Sequence, residues 1–130
     1  MGSAVIKKIK DLYQESIEIL AIGTNAIATS QMLKARANRG ATGENAICVT
    51  VKTVDVIIGP LAIIIADAMM GEVTSEMARA ISASPAKKIL IPLSQENVEI
   101  AGAPHIPLPH LIDLLIEENL KPYIDRTEAD

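Results

Sequence analysis

Ile17-Glu18-Ile19-Leu20-Ala21-Ile22-Gly23-Thr24-Asn25 decides how the chain is read. An isoleucine-rich run stops at a glycine and passes directly into a helical pattern over residues 26–37. β-Branched side chains suit the pleated surface of a buried strand. Thr24 or Asn25 supplies the short side-chain oxygen that caps a helix by accepting from a free N–H. A strand that turns straight into a helix is the first half of a βαβ unit.

The same pattern recurs downstream. Val54-Asp55-Val56-Ile57-Ile58 reads as a second strand ended by Gly59-Pro60. Proline suits the first turn of a helix, so residues 61–70 are predicted helical with Gly71 as the stop. Ile63, Ile64, Ile65, Met69 and Met70 would cover more of that helix than one sheet face can bury. It must therefore lie centrally or meet another subunit, and the reading favours a homo-oligomer. Thr74 or Ser75 opens a further helix that Ser84-Pro85 closes. Residues 88–93 form a third strand and 98–101 a fourth. Only Ser94-Gln95-Glu96-Asn97 separates them, too few residues for a parallel crossover, so the fourth is expected as an antiparallel edge. Pro104, Pro107 and Pro109 lead into a last helix over 111–120.

Upstream, Val5, Ile9, Leu12 and Tyr13 recur at helical spacing, with Lys7, Lys8, Lys10 and Asp11 in the remaining positions. This predicts an amphipathic helix from the first residues on. The segment Asn38-Arg39-Gly40-Ala41-Thr42-Gly43-Glu44-Asn45 has no apolar periodicity and reads as a loop leading into a short helical turn over 46–51. Nearly continuous apolar strands alternating with helices indicate a mostly parallel sheet covered on both faces. Isoleucine, at 20 of 130 residues, supplies the bulk for it. The expected fold is α/β: a three-layer Rossmann-like sandwich, mostly parallel, with one antiparallel edge strand. One domain spans 1–124, and 125–130 is a charged tail.

Composition narrows the function classes. Net charge is −4 and there is no Trp or Phe, the reverse of what phosphate neutralisation and base stacking on a nucleic acid require. The longest apolar stretch, 54–70, is broken by Asp55, Gly59-Pro60 and Asp67 and is too short to span a bilayer. Neither nucleic acid nor membrane is an expected partner. The lone Cys48 has no partner for an intramolecular disulfide, which points to a reducing, cytoplasmic setting. It sits in the apolar run Ala46-Ile47-Cys48-Val49, where a buried, inert thiol is expected.

A doubly wound domain normally opens with a central strand and a glycine-rich turn before its first helix. Here the first helix follows Met1-Gly2-Ser3 directly. Gly2 reads either as the last glycine of such a turn or as an ordinary helix start. If that strand is lacking, the sheet must tolerate a gap or borrow a strand from a partner subunit.

Ligands of open parallel sheets bind outside the carboxyl ends of the strands. Gly23-Thr24-Asn25, Gly59-Pro60 and Ser94-Gln95 with Asn97 occupy such ends. A dinucleotide-binding domain often carries an acidic residue for the ribose 2′-hydroxyl where Gly23-Thr24-Asn25 stands. A neutral turn with Arg36 and Arg39 further on favours an NADP-like or other phosphorylated nucleotide over NAD. In the segment 38–45, Gly40 and Gly43 permit close backbone approach, and Arg39 and Thr42 can hold an anion. Glu44 and Asn45 can orient a hydroxyl or act on a proton. Equally, Thr42 can cap the short helix and Glu44 can complement its dipole. The spacing matches no Walker motif. His110 and Asp113, one turn apart, can shuttle a proton, with Glu44 as a second weak catalytic candidate. The commoner alternative for His110 is an exposed surface residue. His105 lies in a proline-rich loop, and two histidines without matching cysteines make no metal site.

The segments Ala21-Ile22-Gly23-Thr24-Asn25-Ala26-Ile27-Ala28-Thr29, Arg39-Gly40-Ala41-Thr42-Gly43-Glu44-Asn45-Ala46, Ile89-Leu90-Ile91-Pro92-Leu93 and Pro107-Leu108-Pro109-His110-Leu111-Ile112-Asp113 occur together. Over residues 2–117 the chain resembles the DUF3842 family of uncharacterised bacterial proteins. The resemblance implies a Rossmann-like fold and a beginning with a strand and a glycine-rich turn ahead of Gly2, which this chain lacks. It implies no activity. The expectation is therefore a protein that binds a nucleotide or another phosphorylated metabolite, or else a non-catalytic oligomeric or regulatory module.

Overall fold

The computed structural model describes residues 1–93, 97–103 and 105–129. The chain opens with α1 (Gly2–Tyr13), a short 3-10 turn (Gln14–Ser16) and β1 (Leu20–Gly23). Helix α2 (Ala26–Lys34), β2 (Arg39–Thr42), α3 (Glu44–Thr50) and β3 (Val56–Pro60) follow. A 3-10 turn (Leu61–Ile64), α4 (Ser75–Ala83) and β4 (Lys87–Ile91) complete the strand-bearing part. The chain closes with α5 (Leu108–Leu114), a π-helical turn (Leu115–Leu120) and α6 (Lys121–Ala129). The helix thus runs through the segment expected as a tail.

The four strands form two separate parallel pairs. β1 pairs with β2, placing Leu20 opposite Arg39 and Gly23 opposite Thr42. β3 pairs with β4, from Val56 opposite Lys87 to Pro60 opposite Ile91. Two apolar clusters hold the helices to these strands. The first joins Val5 and Ile9 of α1 to Ile89 and Ile91 of β4 and to Leu111, Ile112, Leu115, Ile116 and Leu120 of the C-terminal helix. The second joins Ile47 and Val51 to Ala62, Ala68 and Val73 and to Met77, Ala78 and Ile81 of α4. β3 divides its side chains between them: Val56 and Ile58 pack on the first cluster and Ile57 on the second. That is the two-residue alternation of a strand with both faces covered.

Local chemistry accounts for the helix ends. Asn25 caps α2 by accepting from the N–H of Ala28, and Thr74 caps α4 by accepting from the N–H of Met77. α1 buries Val5, Ile6 and Ile9, whereas Leu12, expected on that face, is exposed. Lys10 lies with them at 2 % exposure. Its ammonium donates to Glu15 and, at 2.9 Å, to Asn38 Oδ1. Asn38 Oδ1 also accepts from the Ile19 N–H at 2.7 Å, and its amide donates to Glu15. One asparagine thus ties the end of α1 to the start of β1.

Three expectations are corrected. The predicted loop 39–42 is strand β2: its ladder to β1 overrides an exposed sequence with little strand propensity. Gly40 belongs there because a Cβ would press on the Leu33 side chain of α2, 3.1 Å away. The helix predicted over 61–70 is one 3-10 turn followed by turns. Three consecutive isoleucines, 63–65, disfavour a helix, and Asp67, Met69, Met70 and Gly71 take positive φ. Ala62 and Ala68 are buried, whereas Met70 projects fully into solvent, so the all-round burial that motivated a subunit contact is not found. Residues 98–101 form no strand: Val98 makes an isolated bridge, and Asn97 and Gly102 turn the chain with positive φ. Ser94 and Gln95, expected at a strand end, lie outside the described residues. Among the described residues, no helix is long and apolar enough to cross a membrane.

Candidate functional site

The carboxyl ends of β1 and β2 lie side by side, with Gly23 opposite Thr42 and the Gly43 N–H donating to the Gly23 carbonyl at 3.1 Å. Thr29, buried in α2, organises this edge. Its Oγ1 accepts from the Gly23 N–H at 3.1 Å and lies 2.8 Å from Thr42 Oγ1. The carbonyls of Asn25 and Ala41 are each 3.2 Å away. Gly23 has no room for a side chain: a Cβ would meet Thr29 Oγ1 and come within 2.8 Å of the Thr29 nitrogen and 2.9 Å of the Asn25 carbonyl.

The segment that follows β3 returns to this edge. Glu72 accepts from Thr24 Oγ1 at 2.9 Å and from the Asn25 amide at 3.0 Å. These two donors, Asn25 first, hold the Glu72 carboxyl below its ordinary value. Thr74 Oγ1 donates to Glu44 Oε1 in a short hydrogen bond while still capping α4. The result is a polar shelf whose side chains are hydroxyls, one amide and two carboxylates.

Among the predicted site residues, Gly23, Thr24, Asn25, Thr42, Gly43 and Glu44 are brought to this shelf. Asn45 follows Glu44 in the first turn of α3 and is exposed. Arg39 and Gly40 are not at the shelf. Arg39 stands at the opposite end of β2, three residues or about 10 Å from Thr42, and its guanidinium pairs with Glu18 at 2.7 Å. Arg36 pairs with Asp11 at the end of α1, also at 2.7 Å. Neither arginine is turned toward the place expected for a 2′-phosphate. Thr24 engages Glu72 and leaves capping to Asn25. Thr42 likewise does not cap α3, whose N-cap residue is Gly43.

His110 is exposed in the first turn of α5, and Asp113 pairs with Lys8 of α1 at 3.4 Å. The one-turn proton pair is therefore not formed. Glu44 and His110 stand on elements that pack into different clusters, α3 in the second and α5 in the first. Cys48 is half-buried, not buried as expected, and its thiol lies 3.8 Å from the Glu76 carbonyl. Among the described residues no group of three or more His, Cys, Asp and Glu is placed to hold a metal ion.

A second concavity, of about 410 Å³, opens beyond the carboxyl end of β4. Pro92, Leu93, Ile100, Ile106 and Leu111 form its apolar wall, and Glu99 and His105 its polar rim. The sequence reading missed Thr29, Glu72 and Thr74 as shelf residues. Thr29 is masked within a helical pattern, and Glu72 falls just after a glycine read only as a helix stop. Thr74 was legible, but only as a cap.

A family model described as "Domain of unknown function (DUF3842)" matches residues 1–123. No curated protein and no solved structure matches the chain.

Proposed function

We propose, for a chain that belongs to the DUF3842 family, that it binds a small nucleotide-like or phosphorylated metabolite on the shelf formed by Gly23, Thr24, Asn25, Thr42, Gly43, Glu44 and Asn45. Glu72 and Thr74 complete that shelf. On this reading the two strand pairs are halves of one doubly wound, three-layer Rossmann-like sandwich, acting in a reducing compartment. The alternation of β3 side chains between two apolar clusters supports the layered arrangement. The observation that carries the functional reading is the return of Glu72 to Thr24 and Asn25. It gathers the ends of β1 and β2 and the segment after β3 at the place where open parallel sheets take their ligands.

The chemistry of the shelf refines the ligand. A carboxylate beside the end of β1 accepts hydrogen bonds from ribose or sugar hydroxyls, which the neutral Gly-Thr-Asn turn does not do alone. With Arg36 and Arg39 paired elsewhere, an unphosphorylated ribose fits better than a 2′-phosphate. Thermal shift with ATP, NAD, NADP and ribose 5-phosphate tests this. Stabilisation by at least one of them, reduced in Glu72→Gln, is the expected result. Equal Tm with and without every one of them overturns the reading.

A second reading, an oligomeric module without a ligand, rests on exposed apolar side chains: Met70 at 101 % and Ile27 at 72 %. Light scattering separates the two, since a monomer at high concentration rules out the second.

A further inference from the structure

Neither strand pair closes its sheet, and the hydrogen bonds show which edges are open. In a parallel ladder, alternate residues turn their main-chain groups to opposite sides. Arg39 N–H reaches the Ile19 carbonyl and Gly43 N–H the Gly23 carbonyl, so residues 19, 21 and 23 face β2. Leu20 and Ile22 therefore direct their N–H and C=O groups to the other side. In the same way Lys87 N–H reaches the Asp55 carbonyl, so 55, 57 and 59 face β4, and Val56 and Ile58 face away. Both open edges lie between the same two apolar clusters. Ile22 and Ile57 pack on one, and Ile19, Val56 and Ile58 on the other. Above the junction runs α1, which packs against α2 on one side and α5 on the other.

We infer that the junction between β1 and β3 is an acceptor for one more strand, parallel to both, and that its occupant is an extended apolar segment leading into the first turn of α1. Complementarity of the edges selects the occupant. Both offer alternating main-chain donors and acceptors from uncharged residues, and only an extended polypeptide repeats such groups every 3.3 Å or so along both sides. Apolar clusters on the two faces require an apolar run of the kind found in buried parallel strands. The crossovers select the point of attachment. The path through α2 leaves β1 and ends on its neighbour β2, and the path through α4 leaves β3 and ends on its neighbour β4. α1 ends on β1, which borders the junction. A right-handed crossover through α1 therefore begins inside the junction.

The inference does not depend on the ligand reading and is tested apart from it. The chain is extended ahead of Met1 by about seven alternating valines and isoleucines and a short glycine turn, a usual strand length. A control carries the same strand after Asp130. The acceptor reading expects exchange of the Leu20, Ile22, Val56 and Ile58 amides to slow by about tenfold or more, with a higher Tm, in the first protein only. Should the extended protein fail to fold, the same strand is added to the unextended chain as a synthetic peptide with a lysine tail. Protection of those four amides is again the expected result. Lack of protection in either format, or equal protection in the control, overturns the inference. Protection in the unextended chain that grows with protein concentration overturns it in favour of a second copy.

Discussion

Replacing Gly23 by alanine tests whether the shelf is built as described. The added Cβ would come within 2.8 Å of the Thr29 nitrogen and 2.9 Å of the Asn25 carbonyl, both main-chain atoms at the start of α2. Because those atoms cannot swing aside, the clash must be relieved by moving β1 away from α2. Overpacking of this kind costs about 1–3 kcal/mol. Loss of the Gly23 N–H bond to Thr29 Oγ1 adds roughly 1 kcal/mol. The sum, about 2–4 kcal/mol, corresponds to a fall in Tm of roughly 7–15 °C for a domain of this length. Two other glycines serve as controls. Gly43→Ala meets nothing within 4 Å and should cost only the strain of its positive φ, about 1–2 kcal/mol. Gly40→Ala presses on the flexible Leu33 side chain and should cost less than Gly23→Ala. Differential scanning calorimetry of the three variants reads the order directly. A Gly23→Ala Tm within about 3 °C of the parent would refute the close approach of β1 to α2, and with it the geometry of the shelf.

Further outcomes follow from the same structure. Asn38→Ala removes the acceptor shared by Ile19 and Lys10 and should cost about 2–4 kcal/mol by urea titration. Lys10→Met, which replaces the ammonium by a shape of similar volume, should cost little or stabilise. Adding Lys10→Met to Asn38→Ala should therefore recover part of the loss, and strict additivity would show that the ammonium is not held by Asn38. Glu15, paired with Lys10 and Asn38, and Glu72, paired with Asn25 and Thr24, both ionise below the ordinary value near 4.5. Their contribution to stability is complete above that value and is lost as pH falls through the lowered ones. Tm should decline from about pH 5 downward, and less steeply in Glu15→Gln and Glu72→Gln. An unchanged slope in both variants removes these pairs as the cause. Ile116→Ala, at a side chain 1 % exposed, should cost about 2–5 kcal/mol, whereas Leu114→Ala on the outer side of the same helix should cost far less. Similar losses at both positions would contradict the packing of α5.

Much of the framework was legible because it rests on local chemistry. The isoleucine-rich runs before Gly23 and Gly59 became β1 and β3, and the Thr74 and Asn25 caps fall where short oxygen-bearing side chains precede helices. What escaped is what depends on distant partners. β2 has the sequence of a loop and is a strand only because β1 offers it a ladder. The segment 61–70 has the hydrophobicity of a buried helix, but three adjacent isoleucines and four positive-φ residues turn it back instead. That return delivers Glu72 to Thr24 and Asn25, so the misread helix and the missed shelf residue share one cause. Lys10 was assigned to solvent by its charge, yet Glu15 and Asn38 satisfy it beneath the first turns of the chain. The shelf's hydroxyl and amide residues were visible as candidates. Arg39 joined them on paper because sequence spacing does not reveal that a four-residue strand separates its ends.

The π-helical turn at Leu115–Leu120 has a bearing on how this chain can change in length. Ile112, Ile116, Leu120 and Ile124 are spaced four apart, and all four belong to or pack on one apolar cluster. In an unbroken α-helix each such step overshoots a 3.6-residue turn by about 40°, so the fourth residue would have swung well off the line of the first. The wider turn absorbs that drift and keeps Ile124 aligned with Ile112. Tyr123 is thereby fixed with its ring 5.9 Å from the Lys87 ammonium at the start of β4. Deleting a single residue between 115 and 120 would restore regular α-helix and rotate everything after it away from the cluster. The helix should therefore accept substitutions on its outer face far more readily than any gain or loss of one residue.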